Sequence, residues 1–371
     1  MGEKNRKLNL PSVQYYHLIG DNDQLITYLN CFQSCIYNVY KTEQKIRDED
    51  LIEIFLGDTA FGVIEAGDGS IYDIVFMDGA INKLGFTFFY TLGQGMEVLP
   101  AVEALLEQGK AVIIQTYMQR VPFFINFIGF DYPLDEEHYR QNFRLYHTFL
   151  VVGYDREHLY YVESPYVLNK EHYLPYENNQ SIGVISKKEL IPAFNTFFNY
   201  TYLKFDEKQP PDMFDNMKLD IVKSVMAKSF SNYHQKVAEN GKKNCFCGKA
   251  AMDRLHWHFQ NGTMDLQQTI AQFNIKLDQL LIWKFQFIMN RRYILARALE
   301  KYRGDFASGD AGALVDLLNS NVKAWRILIS KLKRIQARKE TSYQGLDEIS
   351  GKISLLEGQI VDKMGKLAQI N

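Results

Sequence analysis

Residues 212–371 contain no proline; all nine prolines lie at or before Pro211. Proline inside a helix removes a hydrogen bond and clashes with the preceding turn. So long a stretch without it leaves room for extended helices, and the apolar pattern supplies them. The spacing predicts helices over 214–239, 248–261, 264–303, 310–338 and 342–370. In the last, Leu346, Ile349, Ile353, Leu356, Ile360, Met364 and Leu367 step by three and four, as one buried stripe requires. Gly304, Gly309 and Gly312 punctuate the long helices. Asp206-Glu-Lys-Gln-Pro-Pro-Asp212 reads as a linker.

The part before the linker has a different character. Residues 31–43 read as a helix with Cys31, Cys35, Ile36 and Val39 along one side. Residues 96–109 read as a second, with Val98, Val102, Leu105 and Leu106 inward and Gly109 at its end. Short β-branched and aromatic runs at 84–91, 111–115, 149–153, 159–162 and 182–185 read as strands. The fold class expected is therefore α+β: a mixed domain over 1–205, then an all-α bundle over 212–371. The striped helices leave a second copy of the chain open as a partner, a homodimer.

The charge balance narrows the function. With 42 basic and 44 acidic residues, net −2, nothing draws the chain to nucleic acid or an anionic membrane. Four cysteines, in two local pairs, are too few for a disulfide framework, which points to a reducing cytoplasm. The N-terminus is charged and no run of 18 apolar residues occurs, so neither a secretory signal nor a membrane span is expected. The Asn-x-Thr sequons at Asn199 and Asn261 then carry little meaning.

Cys31 stands where a loop turns into a helix, and a helix N-terminus favours a thiolate. His147 opens the apolar strand His-Thr-Phe-Leu-Val-Val. A thiol at a helix start and an imidazole at the head of a core strand, far apart in sequence, are the layout of papain-like enzymes. Against this, a cysteine is often a buried core residue and a histidine often a structural one. Cys35 is one turn on and reads as core. His17, His138, His158 and His172 lie in polar or turn-like surroundings, although the short run 159–162 follows His158. The strand after that of His147 ends in Glu163 and Ser164 before Pro165; of the two, the charged Glu163 is the better acceptor for the second imidazole N–H. Gln24 and Asn30 are the upstream amides available to an oxyanion.

Other motifs fall short. Leu92-Gly-Gln-Gly-Met has two glycines of the dinucleotide fingerprint, but Val98 replaces the third. Cys245-Phe-Cys247 with His256-Trp-His258 fits no common zinc spacing, and residues two apart on a helix point in nearly opposite directions. The basic run Lys331–Lys339, with Arg291-Arg292, reads as a solvated helix face and as a weak hint of an acidic protein partner.

The stretch with Cys31, the helix-then-strand segment 96–116, Val121-Pro122-Phe123, and His147-Thr-Phe-Leu-Val-Val-Gly-Tyr-Asp155 through Pro165 together resemble the butirosin biosynthesis protein H family. The resemblance spans roughly 25–205. It implies a papain-like N-terminal domain, distantly similar to bacteriocin leader peptidases, with a helical domain after it. It implies Cys31 as nucleophile and His147 as base. The family places an Asp before a Pro at the third position, whereas Ser164 precedes Pro165 here, so either Glu163 has taken over or the triad is incomplete. Asn30 stands where many relatives carry a histidine, and Gln24 is seven residues before Cys31, not at the peptidase spacing.

The activity implied is an acyltransferase of natural-product assembly with no bound cofactor. An acyl or aminoacyl thioester on a carrier protein's phosphopantetheine arm would acylate Cys31, and an amine would resolve the acyl-enzyme to an amide. The alternatives are a cysteine peptidase or amidase on the same scaffold and a non-catalytic carrier-protein-binding protein.

Overall fold

The structure, a computed structural model, describes residues 6–7, 25–44, 48–76, 81–82, 84–93, 97–117, 146–162, 173–175, 181–191, 198–205, 211–234, 238–240, 243–270, 275–306, 310–338 and 345–368. In chain order the strands are β1 (Arg6–Lys7), β2 (Phe61–Glu65), β3 (Ile71–Phe76), β4 (Phe86–Gly93), β5 (Val112–Tyr117), β6 (Tyr146–Tyr154), β7 (His158–Val162), β8 (Tyr173–Pro175), β9 (Ser181–Ser186), β10 (Phe198–Phe205), β11 (Ala238–Asn240), β12 (Lys243–Cys247), β13 (Thr269–Ile270) and β14 (Ile275–Lys276). The helices are α1 (Cys31–Gln44), α2 (Val98–Glu107), α3 (Pro211–Tyr233), α4 (Gly248–Asn261), α5 (Leu277–Lys301), α6 (Asp310–Arg338) and α7 (Leu346–Ala368). The architecture is mixed α+β, with antiparallel sheets.

Two compact units result: Met1–Leu51 with Lys83–Gln209, and Ile52–Asn82 with Pro210–Asn371. The first is built on an antiparallel sheet in the order β4-β10-β5-β6-β7-β9-β8, with β1 paired to β6. Val112 to Ile114 and Phe149 to Val152 are buried without a break. A strand apolar on both faces must be covered on both, and α1 and α2 each pack against β5 and β6. In α2, Val98, Leu99, Val102 and Leu106 form the buried stripe, and Gly109, at φ 80°, takes the left-handed turn that ends it. Strand β10 was not among the expected strands. Its signal is the alternation of buried Asn199, Thr201 and Leu203 with partly exposed Tyr200 and Tyr202.

The second unit corrects the expectation of a purely helical 212–371. It contains a sheet in the order β11-β12-β2-β3, on which α4 and α5 pack, so a hairpin from the first half of the chain completes it. Strand β11 overlaps the end of the helix expected over 214–239, β13 and β14 interrupt the one expected over 264–303, and β12 lies in the gap before 248. Absence of proline permits a helix without requiring one, and Cys245-Phe246-Cys247 finds the backbone edge of Phe61–Glu65 to pair with. Helices α5 and α6 pack on each other, and α3, α4 and α6 pack on α7. The Arg291-Arg292 pair is not a solvated face. Arg292 is buried and grips Glu357 with two parallel bonds, Nε to Oε1 at 2.5 Å and Nη2 to Oε2 at 2.9 Å. Its Nη1 donates to the Ile288 carbonyl at 2.9 Å, while Arg291 donates to the Asp58 carbonyl at 2.6 Å.

The hairpin is fastened by a second buried cluster. Glu65 Oε1 lies 2.6 Å from His258 Nε2 and 2.5 Å from Arg254 Nε, and Thr263 Oγ1 lies 2.8 Å from His258 Nδ1. A neutral imidazole satisfies both partners, donating to the carboxylate and accepting from the hydroxyl. Burial holds the His258 pKa below its ordinary value, and the opposing pull of Glu65 does not overcome it.

Two predictions follow from these clusters. Glu357→Ala leaves a buried guanidinium uncompensated and should cost about 3–5 kcal/mol in denaturant unfolding, whereas pairing it with Arg292→Leu should recover much of that loss. For His258, the folded-state pKa lies below the unfolded one. Above the unfolded value both states are neutral; below it only the unfolded chain takes the proton, so stability falls with falling pH. The melting temperature should drop from pH 7 to pH 5, and His258→Gln should flatten that slope; an unchanged slope would remove His258 as its source.

Candidate active site

Cys31 is the first residue of α1, and Asn30 caps the helix. Asn30 Oδ1 accepts from the Gln33 backbone N–H at 2.9 Å, and Gln33 Oε1 accepts from the Asn30 N–H at 3.0 Å. This reciprocal pair satisfies two backbone N–H groups at the helix start. It also gives Asn30 Oδ1 a structural task. Cys31 is partly exposed and in no disulfide, whereas Cys35, one turn on, is buried. A partly exposed thiol at a capped helix start sits in the positive end of the helix dipole, where its thiolate is favoured.

Aromatic contacts set the direction of α1. Tyr40 meets Phe86 edge-on and donates to the Leu84 carbonyl at 3.0 Å, while Phe32 stacks on Phe88 at 5.9 Å. The helix therefore runs back along β4 with its N-terminus toward the Gly93 end. In register, that end corresponds to Asn199 on β10, Gln115 on β5 and Thr148 on β6. His147 is the second residue of β6, opposite Thr116, and 4% exposed. Cys31 and His147 thus lie toward the same end of one sheet.

They do not emerge on the same face. Directly opposed residues share a face, and successive residues alternate. The face that Phe86 and Phe88 present to α1 continues through Leu203, Thr201 and Asn199, then Ile113 and Gln115, then Leu150 and Thr148. His147 belongs to the other face, with Thr116 and Phe149. Tyr154 shows that α2 covers that side: the strand register puts it on the His147 face, and its hydroxyl bonds Glu107 of α2.

The α1 face carries polar groups that the sequence reading passed over. Asn199 Nδ2 donates to Gln115 Oε1 at 2.7 Å, and Gln115 Nε2 donates to Thr148 Oγ1 at 3.4 Å. Three strands thus share one hydrogen-bonded row, with Asn199 and Thr148 buried. Asn199 had stood out only as a sequon. The signal is Gln115 ending the apolar run Val112–Ile114 inside β5, since a polar residue there needs partners.

Asp155, after Gly153-Tyr154, closes the β6–β7 turn. It accepts from the Tyr160 hydroxyl and from the Glu157 and His158 N–H groups. Burial pushes its carboxyl up, but these bonds prevail and hold its pKa at about 2. Gln24, Glu163 and Ser164 lie outside the described residues, as does most of the Gly93-Gln-Gly95 turn. Cys245, Cys247, His256 and His258, whose spacing fits no common zinc pattern, are not gathered into one ligand set. His256 Nδ1 bonds Ser350 Oγ at 2.9 Å, His258 is held by Glu65 and Thr263, and no group of three or more ligands occurs among the described residues. Nor is any described helix long and apolar enough to cross a membrane. No protein-family model matches this sequence, and no curated protein sequence matches it.

Replacing Gln115 by Leu would leave the Asn199 amide buried without its acceptor, which should cost about 1–3 kcal/mol in denaturant unfolding. Adding Asn199→Leu should return part of that loss, since both partners then go; purely additive losses would deny the row its role.

Proposed function

We propose that this chain is a cysteine-dependent acyltransferase of natural-product assembly, with a papain-like arrangement in its first unit. The observation that supports it is Cys31: a partly exposed cysteine at the first position of a capped helix. The donor is an acyl or aminoacyl thioester on the phosphopantetheine arm of a carrier protein. The Cys31 thiolate adds to the thioester carbonyl, the carrier thiolate leaves and takes a proton, and the acyl group stays on Cys31. An amine acceptor then attacks that carbonyl, the amide forms, and Cys31 recovers its thiol. Thioester exchange is close to balanced, so the outcome depends on admitting the amine and excluding water.

His147 is the base in this reading, and Glu163 or Ser164 orients it. From the other face of the strand, the imidazole must reach Cys31 past the end of β6. That register favours a second reading, in which Cys31 serves the helix start and the chain is a non-catalytic carrier-protein-binding protein.

Intact-protein mass spectrometry with a panel of acyl thioesters separates the two. On the first reading wild type gains the acyl mass, Cys31→Ala does not, and His147→Ala slows acylation by roughly 10²–10⁴-fold. An adduct on wild type that His147→Ala forms just as fast would keep the nucleophile and remove the base. Folded wild type that takes no acyl group from any donor would support the binding reading.

A further inference from the structure

The second unit holds a pair of thiols with no part in this chemistry. Cys245 and Cys247 are alternate residues of β12, so both side chains project from one face. Their sulfurs lie 3.8 Å apart, and neither is in a disulfide. Cys245 is partly exposed, while Cys247 is buried. The neighbouring strand makes room for them. Gly62 on β2 pairs with Cys247, and a Cβ on Gly62 would sit 3.4 Å from Cys245 Sγ and 3.0 Å from Val75 Cγ2. Among the described residues no group of three or more ligands forms with the two sulfurs, and His256 and His258 are bonded to Ser350 and to Glu65 and Thr263.

We propose that Cys245 and Cys247 form a thiol-modification site: a dithiol that closes to an intrastrand disulfide by exchange with a low-molecular-weight disulfide. Cys245 is the partly exposed member of the pair. Its thiolate attacks one sulfur of the external disulfide, that S–S bond breaks, and the departing thiolate takes a proton. The thiolate of Cys247 then attacks the Cys245 sulfur of the mixed disulfide, and the second external thiolate leaves with the proton that Cys247 gave up. Two protein thiols are oxidised and one external disulfide is reduced to two thiols. The order suits the two sites: burial and the neighbouring Cys245 push the Cys247 pKa up to about 11, so it is a poor first nucleophile.

Closure must bring the sulfurs to about 2 Å. It spans a single intervening residue, so the bond is tight and easily reduced, as suits a reversible modification. Little slack is available at the strand end. Gly248, directly after Cys247, has φ 55°, and a Cβ there would lie 2.2 Å from the Tyr233 carbonyl oxygen. The strain of closure therefore falls on the β12–β2 ladder, where Cys245 pairs with Ile64 and Cys247 with Gly62.

The test uses the native chain in mixtures of oxidised and reduced glutathione, followed by acid quench, alkylation and trypsin. The tryptic peptide Asn244–Lys249 carries both cysteines and no other. The expected product is this peptide two hydrogens lighter and unalkylated, restored by dithiothreitol, and formed faster than in the urea-unfolded chain. Cys247→Ser should stop at the glutathione mixed disulfide on Cys245. Either of two results overturns the proposal: a peptide alkylated at both cysteines, or held as a mixed disulfide, across the whole range in wild type; or closure no faster in the native chain than in the unfolded one.

Discussion

The carboxylate of Glu65 is the point on which the second unit turns. It stands at the end of β2, on a hairpin that the chain supplies long before the helices it joins. A lone hairpin of two short strands is at best marginally stable in water. Here β12 extends its ladder and α4 covers it, and Glu65 is the buried acceptor that both Arg254 and His258 of α4 require. A carboxylate at that depth is tolerable only with such partners, and an unpaired guanidinium or imidazole would be no better off. Strand pairing and buried charge therefore enforce one register, since a slip of one residue would turn Glu65 to the opposite face.

A comparable constraint organises the first unit. Its central strands are apolar on both faces and must be roofed twice, which is why α1 and α2 both pack on β5 and β6. Within that dry sheet the Asn199–Gln115–Thr148 row is the polar exception, and it lies toward the end at which α1 begins. Hydrogen bonds across three strands hold it in place, because an unpaired amide at that depth costs more than the bonds return. The start of α1 and the polar row thus lie toward one end of one face.

Parts of this site are legible in the chain. The loop-to-helix change at Cys31 is local, set by Asn30 and Gln33 three residues apart, and local signals survive folding. The strand that His147 opens is likewise plain from its apolar run. The face on which the imidazole emerges is not, because it depends on the pairing of β6 with β5, of β5 with β10 and of β10 with β4. Three separate registers have to be known before one side chain can be placed. The same holds for Asn199 and Gln115, which are 84 positions apart in sequence and bonded in space.

By itself, then, the sequence determined the elements whose cause is local: the striped helices after Pro211, the capped start of α1, the turn at Gly109 and the short apolar strands. Tertiary structure alone decided the partnerships: the Phe61–Phe76 hairpin within the sheet of the second unit, Arg292 buried on Glu357 instead of solvated, and His147 turned away from the face that α1 covers. The physical reason is the range of the forces concerned. Capping, helical periodicity and glycine turns act over a few residues, whereas strand register, buried ion pairs and sheet faces are settled by whichever distant segment supplies the missing hydrogen bond or countercharge.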